Sequence, residues 1–90
     1  MDTPDQPRPY VVALGSDAPI IATTAFLAPG SAVTGAVTLG EQTSVWYGAS
    51  LRGDMTTVRL GARSNVQDNA TLHGDPGFAC QVGEDVTIGH

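Results

Sequence analysis

Residues 64–75, SNVQDNATLHGD, set two side-chain amides, Asn65 and Gln67, and a carboxylate, Asp68, ahead of an imidazole, His73. A second imidazole, His90, ends the stretch VGEDVTIGH at 82–90, and Arg52 and Asp54 stand earlier in SLRGD at 50–54. Neutral imidazoles are ligands for divalent metals and carry protons near neutral pH. Primary amides offer a donor and an acceptor without ionising, so they orient small polar molecules. Nothing in the 64–75 stretch is helical in period, and glycines flank it on both sides. Whether these groups meet depends on the element that carries them.

That element is a repeat. Aliphatic residues recur every six positions at Ile21, Leu27, Val33, Leu39, Val45 and Leu51. The series resumes after three extra residues at Leu60, Val66 and Leu72, and after four more at Val82 and Ile88. Two positions before each aliphatic from Leu27 onward stands a small or β-branched residue: Ala25, Ser31, Val37, Thr43, Ala49, Val58, Ser64, Ala70, Cys80 and Val86. A six-residue period of this kind predicts a parallel β-helix of hexapeptides, each giving a short strand and a corner, with three making one triangular coil. The chain holds about three to four such coils on that rule, with the aliphatics inward and the small residues at the corners. An antiparallel β domain with evenly spaced turns does not explain small residues in phase with aliphatics.

The hexads at 21, 39, 60 and 82 fall on one face, those at 27, 45, 66 and 88 on a second, and those at 33, 51 and 72 on a third. Both insertions, GDMTT within 53–57 and GDPGFA within 74–79, follow third-face hexads and collect at one edge, where loops on a rigid scaffold carry function. Neighbouring coils lie about 4.8 Å apart, which places His73 one coil above Arg52. Asn65, Gln67 and His73 spread around one coil, and His90 arrives a coil later. Taken alone, His73 reads as a surface histidine more often than as a metal ligand. Asp68 fits a corner turn, Cys80 a buried core position, and Trp46 and Tyr47 packing or interface positions on an outer face. Arg52 and Asp54 read as a solvated pair or an interface pair, and their place under the loop edge favours the interface.

Composition bounds the partners. Ninety residues form at most one small domain, and 41% hydrophobic residues suit a folded one. Four arginines, no lysine and a net charge of −5 argue against nucleic acid and against an anionic membrane surface. The acidic, proline-rich start resembles neither a signal peptide nor a membrane span, and the single cysteine excludes an intrachain disulfide. A cytoplasmic protein is the reading these features favour.

The blocks VWYGASLRGD (45–54), VRLGARSNVQDNATLHGD (58–75) and VGEDVTIGH (82–90) resemble the gamma-class carbonic anhydrase family of hexapeptide-repeat proteins, over a match from about Tyr10 to His90. A hexapeptide repeat alone is shared with many acyltransferases; the order RGD, GARSNVQD, LH, VTIGH is specific to this family. The resemblance implies a left-handed β-helix, an exception to the right-handed crossover rule, assembled as a homotrimer with a zinc, iron or cobalt ion between subunits. Three histidines would hold the metal. His73 matches the first and His90 the one given to the adjacent subunit. The third would stand five residues beyond His90, where the next third-face hexad stacks it over His73. Gln67 and Asn65 resemble the family's catalytic polar residues beside the reactive water, and Arg52 and Asp54 its intersubunit ion pair.

The implied activity is reversible hydration of CO2 to bicarbonate. Met55 follows Asp54, and the second insertion holds only Asp75, so the acidic proton shuttles of active members are thinly represented. Residues 1–20 read as a lead-in and cap, and 21–90 as a β-helix lacking its terminal coils and the family's C-terminal helix. The 90-residue chain is then an inactive fragment of an active parent. A hexapeptide acyltransferase or thioesterase acting on a coenzyme A ester, or a non-catalytic scaffold subunit, are the alternatives on the same prism.

Overall fold

The computed structural model describes residues 7–90, and within them the period of six becomes ten strands, every pair of them parallel. They are β1 (Tyr10–Val12), β2 (Ile20–Ile21), β3 (Phe26–Leu27), β4 (Ala32–Leu39), β5 (Ser44–Val45), β6 (Ser50–Leu60), β7 (Asn65–Val66), β8 (Thr71–His73), β9 (Cys80–Val82) and β10 (Thr87–Ile88). There is no helix among the described residues. β4 and β6 run through the loop-edge corner, so the third and first faces merge into one sheet of β1, β2, β4, β6, β8 and β9. The second face is a sheet of its own, in the order β10, β7, β5, β3.

The register follows the hexads. Ile21, Leu39, Leu60 and Val82 align across coils, as do Leu27, Val45, Val66 and Ile88, and Val33, Leu51 and Leu72. Val33, Leu39, Val45, Leu51, Leu60 and Val66 are buried, while Ile21, Leu27, Leu72, Val82 and Ile88 pack against them half-buried in the outer coils. Burial therefore declines from the middle of the stack toward both ends. Cys80, expected to be buried, is only half-buried for the same reason: it belongs to an outer coil.

Corner chemistry explains the small residues. Ser31 and Thr43 are fully buried and donate their hydroxyls back to the Ala28 and Gly40 carbonyls at 2.7 and 2.9 Å. Ser64 donates to the Gly83 carbonyl at 2.6 Å and accepts from the Val86 amide at 2.9 Å, tying one coil to the next. The buried hydroxyls at these three positions are thus satisfied locally, while Val37, Ala49 and Val58 fill the same hexad position with apolar side chains. Three residues after the inward aliphatic, Gly30, Gly48 and Asn69 line one corner with positive φ, and Gln42, Arg63 and Asp85 line another. At Gly48 (φ 73°) a side chain would also collide with the Asn69 amide stacked above it.

The stack also reaches below Ile21. β1 pairs with β4, Val11 opposite Val33, so a third-face rung lies within residues 1–20, the segment read as lead-in and cap; residues 1–6 of that segment lie outside the described residues. Val11 and Ile21 stand ten apart, the same separation as Leu72 and Val82, and the intervening loops close alike through antiparallel bridges Leu14–Asp17 and Asp75–Phe78. A third insertion, within 13–19, thus joins the two at the loop edge. Residues 53–57, by contrast, stay inside β6. Gly53 makes room there, since a side chain would strike the Ala36 backbone of the coil beneath.

Truncating Leu51 to alanine should cost about 2–5 kcal/mol, the range for large-to-small changes in a close-packed interior. Arg63→Ala should cost far less, because exposed ion pairs contribute little. That holds even though Arg63 Nε donates to Asp85 at 2.8 Å and Nη2 reaches Glu84 at 3.3 Å. Arg63 donating to Asp85 holds that carboxyl below its ordinary value. Its small contribution is present above the ordinary carboxylate range and fades as pH falls through it. Urea midpoints for the two variants at neutral pH check the ranking.

Candidate functional site

Two outward columns carry the sequence-selected residues. On the third face Thr34, Arg52 and His73 align in successive coils. Each follows an inward aliphatic, and strand alternation turns it to the outer surface. Arg52 and Asp54 are two apart on β6 and so share that surface, with Arg52 Nε 3.4 Å from Asp54 Oδ2. Their side chains are 45% and 37% exposed, which leaves the pair open to further partners. Asp54 also borders a cavity of about 180 Å³ with Asp17, Ala36, Met55 and Thr56.

On the second face Asn65 and Gln67 flank the buried Val66 and point outward together. Asn65 Nδ2 donates to Thr87 Oγ1 of the next coil at 3.1 Å, and Asn65 Oδ1 is buried with no partner. Gln67, Asp68, Asn69, Trp46 and His90 line a cavity of about 480 Å³. Its position follows from the coil spacing: the Trp46 amide donates to the Val66 carbonyl and the Gln67 amide to the Ile88 carbonyl, both at 2.9 Å. Trp46 therefore lies one coil below Gln67, and the coil above presents Gly89. The indole N–H of Trp46 donates to Ser44 Oγ at 3.0 Å, and its ring sits 5.1 Å from Phe26 and 6.1 Å from Tyr47. Anchored so, Trp46 offers the cavity an apolar surface beside the Gln67 amide and the His90 imidazole.

The structure thus brings Gln67 together with His90, sets Asn65 beside them on the same face, and stacks His73 over Arg52. His73 does not line the cavity that His90 lines. Among the described residues no three His, Cys, Asp or Glu side chains gather to hold a metal. Trp46, Asn69 and Thr87 were not singled out for this site from the sequence. The signal for Trp46 and Thr87 was present: Trp46 follows Val45 as Gln67 follows Val66, and Thr87 precedes Ile88 as Asn65 precedes Val66.

A parallel β-solenoid of hexapeptide coils, with imidazoles, amides and an Arg–Asp pair on its outer columns, is a hexapeptide-repeat protein. Comparison with known proteins refines this. The chain is 42% identical over 72 residues to a carbonic anhydrase of Geobacillus kaustophilus, covering 80% of this chain and 40% of that one. It is 43% identical over 72 residues to the uncharacterized transferase YtoA of Bacillus subtilis, covering 80% and 42%. The solved structure of a hexapeptide transferase family protein from Anaplasma phagocytophilum superposes with a TM-score of 0.84 at 37% identity, over 90% of this chain and 47% of that one. No family model matches the chain. The chain belongs to the gamma carbonic anhydrase-like hexapeptide-repeat proteins and spans less than half the length of these relatives.

Ser44→Ala should leave the indole N–H of Trp46 without its acceptor, at a cost of about 1 kcal/mol. Trp46 is the single tryptophan. Its emission spectrum and a fluorescence-monitored urea curve read both the altered environment and the lost stability.

Proposed function

We propose that the complete protein is a metal-dependent carbonic anhydrase that hydrates CO2 reversibly to bicarbonate. The observation that carries this reading is the placement of Gln67 and His90 around one cavity beside Asn65, with His73 and Arg52 stacked on the neighbouring face. The carbonic anhydrases among its relatives support it. His73 and His90 are the ligands this chain would contribute, and the family resemblance implies a third histidine. Because His73 and His90 do not share a cavity within one chain, a metal using both kinds of imidazole is held between copies, which closed three-fold symmetry provides. Arg52 and Asp54, half-exposed and paired, are the groups to join one subunit to the next.

The donor types present suit such an ion. Imidazoles suit zinc, iron and cobalt alike, and the orphaned Asn65 Oδ1 is a buried acceptor that still lacks a donor. The ion, when bound, would supply a water acidic enough to ionise near neutral pH. The chain's own residues do the rest. Trp46 walls the cavity with apolar surface suited to an uncharged, linear molecule. The Gln67 amide can donate to an oxygen of CO2 and of the product bicarbonate, which fixes the carbon for attack. Asn65 Oδ1 can accept the proton-bearing side of the reacting solvent and so hold its lone pair toward that carbon.

His73→Ala should abolish metal retention in a metal-loaded protein that extends past His90. Gln67→Ala should keep the metal and slow turnover by up to ~10²–10³, the effect of losing one well-placed donor. The 90-residue chain should bind zinc weakly and show little hydration, since it supplies two ligands of three. Metal content and stopped-flow CO2 hydration measure these outcomes; full metal retention by His73→Ala overturns the assignment. The metal-loaded parent should also sediment as a trimer.

The transferase names among the relatives favour a second reading, acyl transfer from or hydrolysis of a coenzyme A ester. Four arginines and no lysine give this chain little to hold the nucleotide phosphates. Calorimetric titration with coenzyme A separates the two, and an absence of both metal and coenzyme A binding selects a scaffold role.

A further inference from the structure

Asn65 has a side-chain amide whose terminal torsion is intrinsically loose, with two nearly isosteric ends. What such a group presents to a ligand is decided by whatever fixes one end of it. Here that is a single contact, the 3.1 Å hydrogen bond from Asn65 Nδ2 to Thr87 Oγ1. The fold supplies the contact: Asn65 and Thr87 are register partners of β7 and β10, and the Asn65 amide donates to the Val86 carbonyl at 2.9 Å. Both backbones are thereby held at one coil spacing, and both side chains emerge on the same outer face. The other end of the amide, Oδ1, is buried and has no partner.

We infer that Thr87 is a positioning residue for the site. Its hydroxyl accepts from Asn65 Nδ2, which leaves Oδ1 as the unpartnered, buried end of the amide. The inference rests on the carbonic anhydrase reading for what Oδ1 then does, but the orientation itself does not depend on that reading. Neither Ser44 nor Gln67 can substitute for the contact. Gln67 lies on the far side of Val66, and Ser44, the register partner of Asn65 in the coil below, already accepts the indole N–H of Trp46. Thr87 is exposed in this chain, so removing its hydroxyl changes the amide without opening a hole in the core.

The test compares Thr87→Val, which keeps the shape and removes the hydroxyl, with Thr87→Ser, which keeps the hydroxyl, in the full-length, zinc-loaded protein. The first readout is the Asn65 side-chain amide in a nitrogen–proton correlation spectrum, identified by its loss in Asn65→Ala. Thr87→Val should move that resonance and speed its exchange with water, and Thr87→Ser should restore it. The second is CO2 hydration: kcat should fall about 10-fold to 100-fold in Thr87→Val, the range for losing a residue that orients a site group. KM and zinc content should stay unchanged, and Thr87→Ser should recover the rate. An unmoved Asn65 resonance in Thr87→Val, or a serine variant that fails to restore it, overturns the inference. A wild type without hydration activity whose Asn65 resonance moves only in Thr87→Val overturns the carbonic anhydrase reading and upholds the positioning role.

Discussion

Every coil of this chain spends its backbone hydrogen bonds on the coils above and below it, and the rest of the structure depends on that constraint. A strand of two or three residues cannot stand alone. It persists because its amides and carbonyls meet a neighbour in strict register, and because one aliphatic per hexad closes the interior behind it. Slipping that register by one residue would turn each inward aliphatic outward. The buried series from Val33 to Val66 fixes the phase of the whole stack. The outer positions then have no freedom over which neighbours they meet along the axis.

The site is a consequence of columns. Asn65 lies over Ser44 and under Thr87; Gln67 lies over Trp46 and under a bare glycine; His73 lies over Arg52. None of these neighbours is close in sequence, since each lies a full coil away. The chemistry available to an imidazole or an amide is therefore chosen by residues about twenty positions distant. A substitution at Trp46 or Thr87 changes the site without touching any of the residues that define its motif.

The hexad phase made most of the fold legible. Once Ile21, Leu27 and Val33 set the three faces, the alignments of Leu51 with Leu72 and of Val66 with Ile88 followed, and the structure has them. What the phase did not disclose has physical reasons. The rung at Tyr10–Val12 was hidden because Val11 and Ile21 stand ten positions apart, with a glycine turn between them, which breaks a period of six. Half-burial of Cys80 and Val82 was hidden because pattern reports the side a residue faces, and distance from the ends decides how much covers it. Within the site, Gln67 and His90 were legible as types and spacings. The cavity between them was not, because Trp46 and Gln67 come together only through the coil spacing.

The loop edge behaves unlike the other two corners. Successive hexads are separated across it by ten, six, nine and ten residues while the aliphatic on either side keeps its register. Closing a longer loop costs only about the logarithm of its length. The opposite corners lack that freedom, because left-handed backbone positions and close coil-to-coil contacts such as Gly48 against Asn69 prescribe their path. Sequence drift in such a chain is therefore channelled: length varies at one seam, composition varies along the outer columns, and the axial repeat stays unchanged beneath both.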